Sequence, residues 1–203
     1  MNLPNHVPRN ALTDGWIHLR PVGPEDTAEF YAAFLEAWPT LRPWMNWGEE
    51  IRDIRSAQAH LELKADEWRR GESYTFLVGS RDGRFLGMCG LSQFNWRHRF
   101  ANVGYWVRPS QRGKAIMPAA VRVLAQFAFE VLKLHRMELL IEPSNLASRR
   151  AAEKAGAQLE GQLRGRICNL GLARDALMFS LVPEDLTCPP PGHSETLPTK
   201  FRT

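Results

Sequence analysis

The sequence predicts an α+β domain, with a mixed and mostly antiparallel central sheet flanked by helices, in the order β-α-α-β-β-β-α-β-α-β-β. Three observations carry that expectation. Apolar residues recur at period two in some stretches and near 3.6 in others, so strands and helices are both present. Three period-two stretches follow one another between Tyr74 and Val107 with only turn-length gaps, which makes an antiparallel meander the simplest arrangement. Within residues 103–118 the period then changes from strand to helix across one short basic turn.

Length and composition set the frame. A chain of 203 residues, 44% hydrophobic and 24% charged, suffices for one domain with a full core and is short for two. Residues 1–14 are polar and proline-bearing, and 187–203 are rich in Pro, Ser and Thr; both are expected to be flexible, leaving one domain over 15–186. No apolar run has membrane-spanning length and Met1–Asp14 holds no signal-peptide core, which points to the cytoplasm and away from a membrane partner. Cys89, Cys168 and Cys188 are odd in number and widely spaced, so neither a disulfide framework nor a metal site is expected. A formal charge of +4 admits an anionic ligand, but no arginine-rich arm or nucleic-acid motif accompanies it, and direct nucleic-acid binding is not expected.

The elements follow in order. Trp16-Ile17-His18-Leu19-Arg20 alternates as a strand, and Pro21 with the acidic Pro24-Glu25-Asp26 opens a helix carrying Phe30, Tyr31 and Phe34. A second helix runs from about Ile54 through Ala57, Leu61, Ala65 and Trp68 to a stop near Gly71. Between them lie Trp38, Trp44, Met45 and Trp47, too aromatic for an ordinary exposed connection, which either cover the core or line a substrate site. Tyr74, Phe76 and Val78 alternate before the hairpin turn Asp82-Gly83; Phe85–Phe94 and Phe100–Val107 complete the meander. Ile116, Ala120, Val123, Phe127 and Val131 then mark one face of a helix. Met137, Leu139 and Ile141 form the next strand. After Pro143-Ser144-Asn145 comes a short helix through Ser148 to Ala155, capped by Gly156, and Leu159–Ile167 and Ala176–Leu181 end the fold as paired strands.

The change of period at residues 103–118 has a chemical consequence. Val103, Tyr105 and Val107 alternate up to the turn, where the unpaired N–H groups of a helix start, Gly113 and the cations Arg108, Arg112 and Lys114 make an electropositive cup suited to a pyrophosphate.

The turn Arg112-Gly113-Lys114-Ala115-Ile116-Met117 resembles the acetyl-CoA signature Arg/Gln-x-x-Gly-x-Gly/Ala of the GNAT N-acetyltransferases, with Ala115 and Met117 at sites that usually hold glycine. The run from Asn145 to Gly161, including Ser148, Glu153-Lys154-Ala155-Gly156 and Glu160-Gly161, resembles the Asn-x-x-Ser…Glu-Lys-x-Gly-Phe-x-x-Glu-Gly run of the RimJ/RimL-like branch, which acetylates N-termini of ribosomal proteins; Ala157 replaces an aromatic there. Met45-Asn46-Trp47, Gly104-Tyr105-Trp106, Met117 and Arg174-Asp175 are similar to that branch as well, so the likeness covers about residues 16–184. It implies the GNAT fold, acetyl-CoA as cofactor with CoA as product, and direct transfer to an amine in a ternary complex. It also implies a strand, here Tyr105 to Arg108, that splays from its neighbour and frees backbone groups for the pantetheine arm and the acetyl carbonyl. The expected cofactor contacts are then Trp106, Val107, Arg108, Arg112, Gly113, Lys114, Ala115, Ile116, Met117, Asn145 and Ser148. Trp44, Trp47 and Tyr105 are the expected acceptor contacts.

Acetyl transfer needs an acceptor for the amine proton, a donor to the developing oxyanion and a donor to the departing thiolate. The backbone N–H of Val107 suits the second role and, by the resemblance, Ser148 the third; as alternatives, Ser148 and Asn145 are helix-start capping residues. The position matching the branch's glutamate base is Ile167, which cannot take a proton. Glu49, Glu50, Glu142 and His98 remain as bases. A protein N-terminus, which ordinarily titrates at about 7.7 to 8.0, needs less help than a lysine near roughly 10.4, and is the leading acceptor. Three readings stand beside it: an acyltransferase for a small amine or protein lysine, a longer acyl donor, and an acyl-CoA-binding module without turnover, this last motivated by Ile167. Association into a homodimer is left open.

Overall fold

One eight-stranded sheet is built from Leu12–Thr13 (β1), Ile17–Pro21 (β2), Tyr74–Ser80 (β3), Phe85–Asn95 (β4), Phe100–Val107 (β5), Arg136–Ile141 (β6), Gln158–Asn169 (β7) and Leu172–Leu181 (β8). The computed structural model describes residues 12–45, 47–169 and 171–187. In space the strands run β1-β2-β3-β4-β5-β6-β8-β7, and every neighbouring pair is antiparallel except β5 and β6, which are parallel.

The α-helices among the described residues are Thr27–Leu41 (α1), Ile54–Arg70 (α2), Ile116–Gln126 (α3) and Leu146–Ala155 (α4). Strand alternation assigns the faces. Leu77, Met88 and Trp106 pack with Phe30, Phe34 and Leu61 of α1 and α2, whereas Phe76, Val103, Met137 and Phe179 join Leu124 of α3 and Ala152 of α4 in the larger core. The C-terminal caps expected at Gly71 and Gly156 are present, and Asp53 adds an N-cap that the sequence reading does not name. Asp53 accepts from the Ser56 N–H at 2.8 Å at the start of α2, and Gly71 and Gly156 close α2 and α4 with φ of 69° and 95°.

Besides Trp38, which the sequence reading places between the helices and which lies inside α1, two elements depart from that reading. Leu12–Thr13, inside the stretch expected to be flexible, is a strand paired with Leu19 and His18, and Leu12 is buried. The cause is local: Asp14 accepts the N–H groups of Trp16 and Ile17 at 2.9 Å and Gly15 takes φ 89°, closing a tight hairpin. The rest of the N-terminal stretch, residues 1–11, and the tail from Cys188 lie outside the described residues. The second departure is Val131, expected on the buried face beyond Phe127. After Gln126 the helix widens into a π turn, with the Leu132 N–H donating to the Phe127 carbonyl at 3.1 Å, and the extra residue per turn rotates Val131 to 45% exposure. No helix among the described residues is long and apolar enough to cross a membrane.

Candidate active site

The site begins where the sheet comes apart. β5 and β6 pair only through Phe100, Ala101 and Asn102 with Arg136, Met137 and Glu138; beyond that point β6 pairs with β8 alone and β5 with β4 alone. The Arg108 N–H donates to the Leu86 carbonyl at 2.9 Å, on the β4 side. Because backbone groups alternate along a strand, those of Tyr105 and Val107 point the other way, into the splay, without a strand to receive them. This is the splayed strand expected from the sequence, with a free N–H at Val107, and the chain folds that way because a parallel partner must be reached by the long crossover through α3.

The turn that follows is a backbone cup. Pro109–Gln111 makes a single 3-10 turn, Gly113 takes φ 79° and Ala115 takes φ 54°. Among the described residues nothing accepts the N–H groups of Gly113, Lys114, Ala115, Ile116 and Met117. These five groups, at the positive end of α3, suit a pyrophosphate. The side chains behave differently from the sequence reading. Arg108 is turned away to α1, where its Nε donates to Glu36 at 2.7 Å, and Glu36 also accepts the Ser110 N–H at 2.7 Å. Those bonds, from Ser110 first and then Arg108, hold the Glu36 carboxyl down to about 2. Arg112 donates to Thr40 at 2.6 Å and Lys114 to Gln111 at 2.9 Å. Ile116 and Met117 are buried in the core, so methionine at that site does not obstruct the cup. Trp106, expected at the cofactor, has its ring in the α1 core, 5.9 Å from Phe85 and 6.3 Å from Phe30.

Across the splay stands α4. Asn145 is its N-cap, accepting the Ser148 N–H at 3.1 Å. The cap is therefore the asparagine amide oxygen, and the Ser148 hydroxyl serves elsewhere: it donates to Tyr105 Oη at 3.0 Å, while the Tyr105 hydroxyl donates to the Ser148 carbonyl at 2.9 Å. Tyr105 thus ties β5 to α4 over the gap. Burial pushes its hydroxyl up to about 12, against a smaller opposing contribution from Ser148, so it keeps its proton through the neutral range.

On the other face of the sheet, beneath α2, lies a cavity of about 440 Å³. Gly90 and Gly104 form its floor, and a side chain at Gly104 would meet nothing within 4 Å. Met45, Trp47, His60, Met88 and Trp106 wall one end; Lys64, Glu67, Ser73 and Glu72 stand at the other, and Tyr105 borders it on β5. Trp47 meets both readings of the aromatic segment, since it lines the cavity while packing on Phe34, Trp38 and His60. Trp44 is half-buried and does not line it. Both carboxylates of the wall are tied: Glu67 to Lys64 at 2.9 Å and to Ser73 at 2.6 Å, Glu72 to Arg70 at 2.8 Å.

None of the four bases proposed from sequence reaches this cavity. Glu49 pairs with Arg42, Glu50 is exposed, and His98 lies in the exposed β4–β5 loop. Glu142 accepts from Asn169 at 3.0 Å, and the same buried Asn169 amide donates to the Pro43 carbonyl, joining the end of β7, the end of β6 and the segment after α1. Ile167 sits on the β7–β8 hairpin opposite Arg174. A titratable group that lines the cavity without a hydrogen-bond partner among the described residues, His60, is absent from the sequence candidates. It shares a helix face with Ala57, Lys64 and Glu67, and that spacing is the signal that could have found it.

Comparison with known proteins agrees with this geometry. Residues 17–158 match the acetyltransferase (GNAT) domain. YjcK of Bacillus subtilis, named as an N-acetyltransferase, is 35% identical over 177 residues, spanning 83% of this chain and 95% of its own. YdaF of the same organism, named as a ribosomal N-acetyltransferase, is 29% identical over 174 residues, spanning 83% of this chain and 92% of its own. Among solved structures, Mycobacterium smegmatis RimJ in complex with CoA-disulfide superposes with a TM-score of 0.76 at 28% identity, over 85% of each chain.

Proposed function

This chain belongs to the GNAT acetyltransferase family, whose members use acetyl-CoA as donor, and from that premise we propose that its acceptor is the α-amine of a protein N-terminus, acetylated by direct transfer in a ternary complex. The observation that carries the choice of acceptor is the pairing of both carboxylates that line the cavity under α2. A lysine or polyamine arrives as a cation and needs an unpaired anion or a strong base, whereas an α-amine, with a pKa of about 8, already has a sizeable neutral fraction near neutrality. The name of YdaF as a ribosomal N-acetyltransferase supports the same reading.

The residues present fit the donor. Its phosphates would lie against the N–H groups of Gly113 to Met117, with Arg112 and Lys114 beside them, and its pantetheine arm along the free edge of β5 near Asn145. Bound there, acetyl-CoA supplies an acetyl thioester. The Val107 N–H, aimed into the splay, donates to the carbonyl oxygen as negative charge develops on it. Ser148 donates to sulfur by turning its one hydroxyl proton from Tyr105 Oη, the oxygen that otherwise receives it and keeps the hydroxyl over the gap. Cys89, on the strand that floors the cavity, has its side chain buried in the core on the opposite face with its thiol pushed up by desolvation, so it stays protonated and unsuited to carrying an acetyl group.

The test is release of free thiol from acetyl-CoA with a panel of amines. Peptides with a free N-terminal serine or alanine are expected to show the highest kcat/KM. A higher value for a polyamine, or for a lysine peptide with a blocked N-terminus, overturns the choice of acceptor; donor binding without turnover on any amine indicates a binding module.

A further inference from the structure

We propose that His60 is the proton acceptor for the incoming amine, a role that rests on the acceptor entering the cavity beneath α2. The imidazole lines that cavity together with Trp47, Met88, Gly104 and Trp106. Its ring lies nearly parallel to Phe30, at 5.6 Å and 5°, and to Trp47, at 5.2 Å and 21°. Those contacts fix the ring plane. Among the described residues nothing hydrogen-bonds either ring nitrogen, so its acceptor capacity is left for a ligand.

The charges around it favour a neutral ring. Lys64 and Glu67 lie on the same helix, Glu72 lines the same cavity, the protonated side chains of Cys89 and Tyr105 point to the opposite face of the sheet, and Phe30 and Trp47 bring no charge. Burial first and Lys64 second lower His60 to about 4, against a smaller opposing pull from Glu67. A base this weak cannot deprotonate a free ammonium efficiently. It does not need to. The α-amine is already partly neutral near pH 8, and its nitrogen becomes far more acidic as the bond to carbon forms, so the proton leaves late in the reaction, when a weak and permanently neutral base suffices.

In the transfer itself, the amine nitrogen bonds to the acetyl carbon, the carbon–sulfur bond breaks with its electron pair leaving on sulfur, the nitrogen's proton passes to His60, and the thiolate accepts a hydrogen bond from the Ser148 hydroxyl. Solvent then removes the proton from His60, which its low pKa makes fast, and supplies one to the departing thiolate.

The proposal is tested with His60→Phe, which keeps a flat ring in the stack without nitrogen, and His60→Asn, which keeps a hydrogen-bond acceptor without basicity. With an N-terminal serine peptide as acceptor, both are expected to lower kcat by about a hundred- to ten-thousand-fold. His60→Asn should keep a near-normal peptide KM, while His60→Phe raises it. Both losses should shrink as pH rises and hydroxide substitutes as base. A second readout needs no donor: added peptide should shift the His60 ring-proton NMR signals in the wild-type chain. An undiminished kcat, a loss equal at every pH, or ring signals unmoved by a peptide that binds overturns the proposal. Gly104→Val separates this from failure of the underlying site: if it leaves peptide KM unchanged, the acceptor does not occupy the cavity. If it raises KM while His60→Phe retains full kcat, the cavity stands and the base lies elsewhere.

Discussion

Between Val107 and Met117 the groups offered to a ligand are backbone N–H groups, and the side chains beside them are turned into the core, as for Ile116 and Met117, or toward α1, as for Arg108 and Arg112. Beneath α2 the arrangement is reversed. Gly90 and Gly104 strip the floor of side chains, and the character of the cavity comes from Met45, Trp47, His60 and the Lys64–Glu67 pair on separate segments. A site made of backbone tolerates changes of residue type while the chain path holds, which is why alanine and methionine can stand at glycine positions of the turn. A site made of side chains changes its ligand with each substitution, so relatives with one donor can differ in acceptor.

The sharpest way to break this contrast is Ser148→Ala, which removes the side-chain group on which the donor side depends. It is expected to lower kcat and kcat/KM together by about ten- to a thousand-fold with unchanged donor affinity. Melting temperature should barely move, because the cap is made by Asn145. A destabilised variant with full kcat would make Ser148 structural.

Trp47→Ala probes the other region. It should raise the peptide KM about tenfold and leave CoA affinity intact, while lowering stability by about 3 kcal/mol through the lost stack with Phe34, Trp38 and His60. A stable variant with unchanged KM would remove Trp47 from the acceptor wall.

Arg112→Ala asks how far the cup depends on charge. Removing this cation should weaken CoA by roughly tenfold, the worth of one charge-assisted hydrogen bond, and leave phosphate-free pantetheine unaffected in parallel titrations. Equal losses for the two ligands would take Arg112 away from the phosphates.

The smallest effect belongs to Ala115→Gly. Alanine at φ 54° costs about 1 to 2 kcal/mol relative to the right-handed region, and the greater chain entropy that glycine loses on folding offsets roughly 0.5 to 1 of the relief. A net gain of about 0.5 to 1 kcal/mol is expected in denaturant melts, with CoA affinity unchanged. A loss of stability would mean that the methyl group packs usefully.

Legibility in the sequence follows the same divide. The turn and the α4 cap can be read because each depends on residues a few positions apart, a glycine at positive φ and an asparagine three residues before Ser148, whereas the splay of β5 is implied by the family resemblance alone. The hairpin at Asp14-Gly15 is equally local yet escapes the pattern, since a two-residue strand is too short to show a period. Val131 is misplaced by periodicity because a π turn leaves no mark on an apolar pattern of 3.6. Arg108 reads as a phosphate ligand because its partner, Glu36, lies 72 residues earlier.

What the sequence by itself determined is the order of the elements, the backbone cup and the two residues that begin α4, since periodicity, glycine and capping act over a single turn or strand. Tertiary structure alone decided which face each aromatic took, that Tyr105 reaches Ser148, that Glu142 is held by Asn169, and that a histidine on α2 meets Phe30 and Trp47 beside the acceptor cavity. Those contacts join segments brought together only when both faces of the sheet are covered, so no local pattern encodes them.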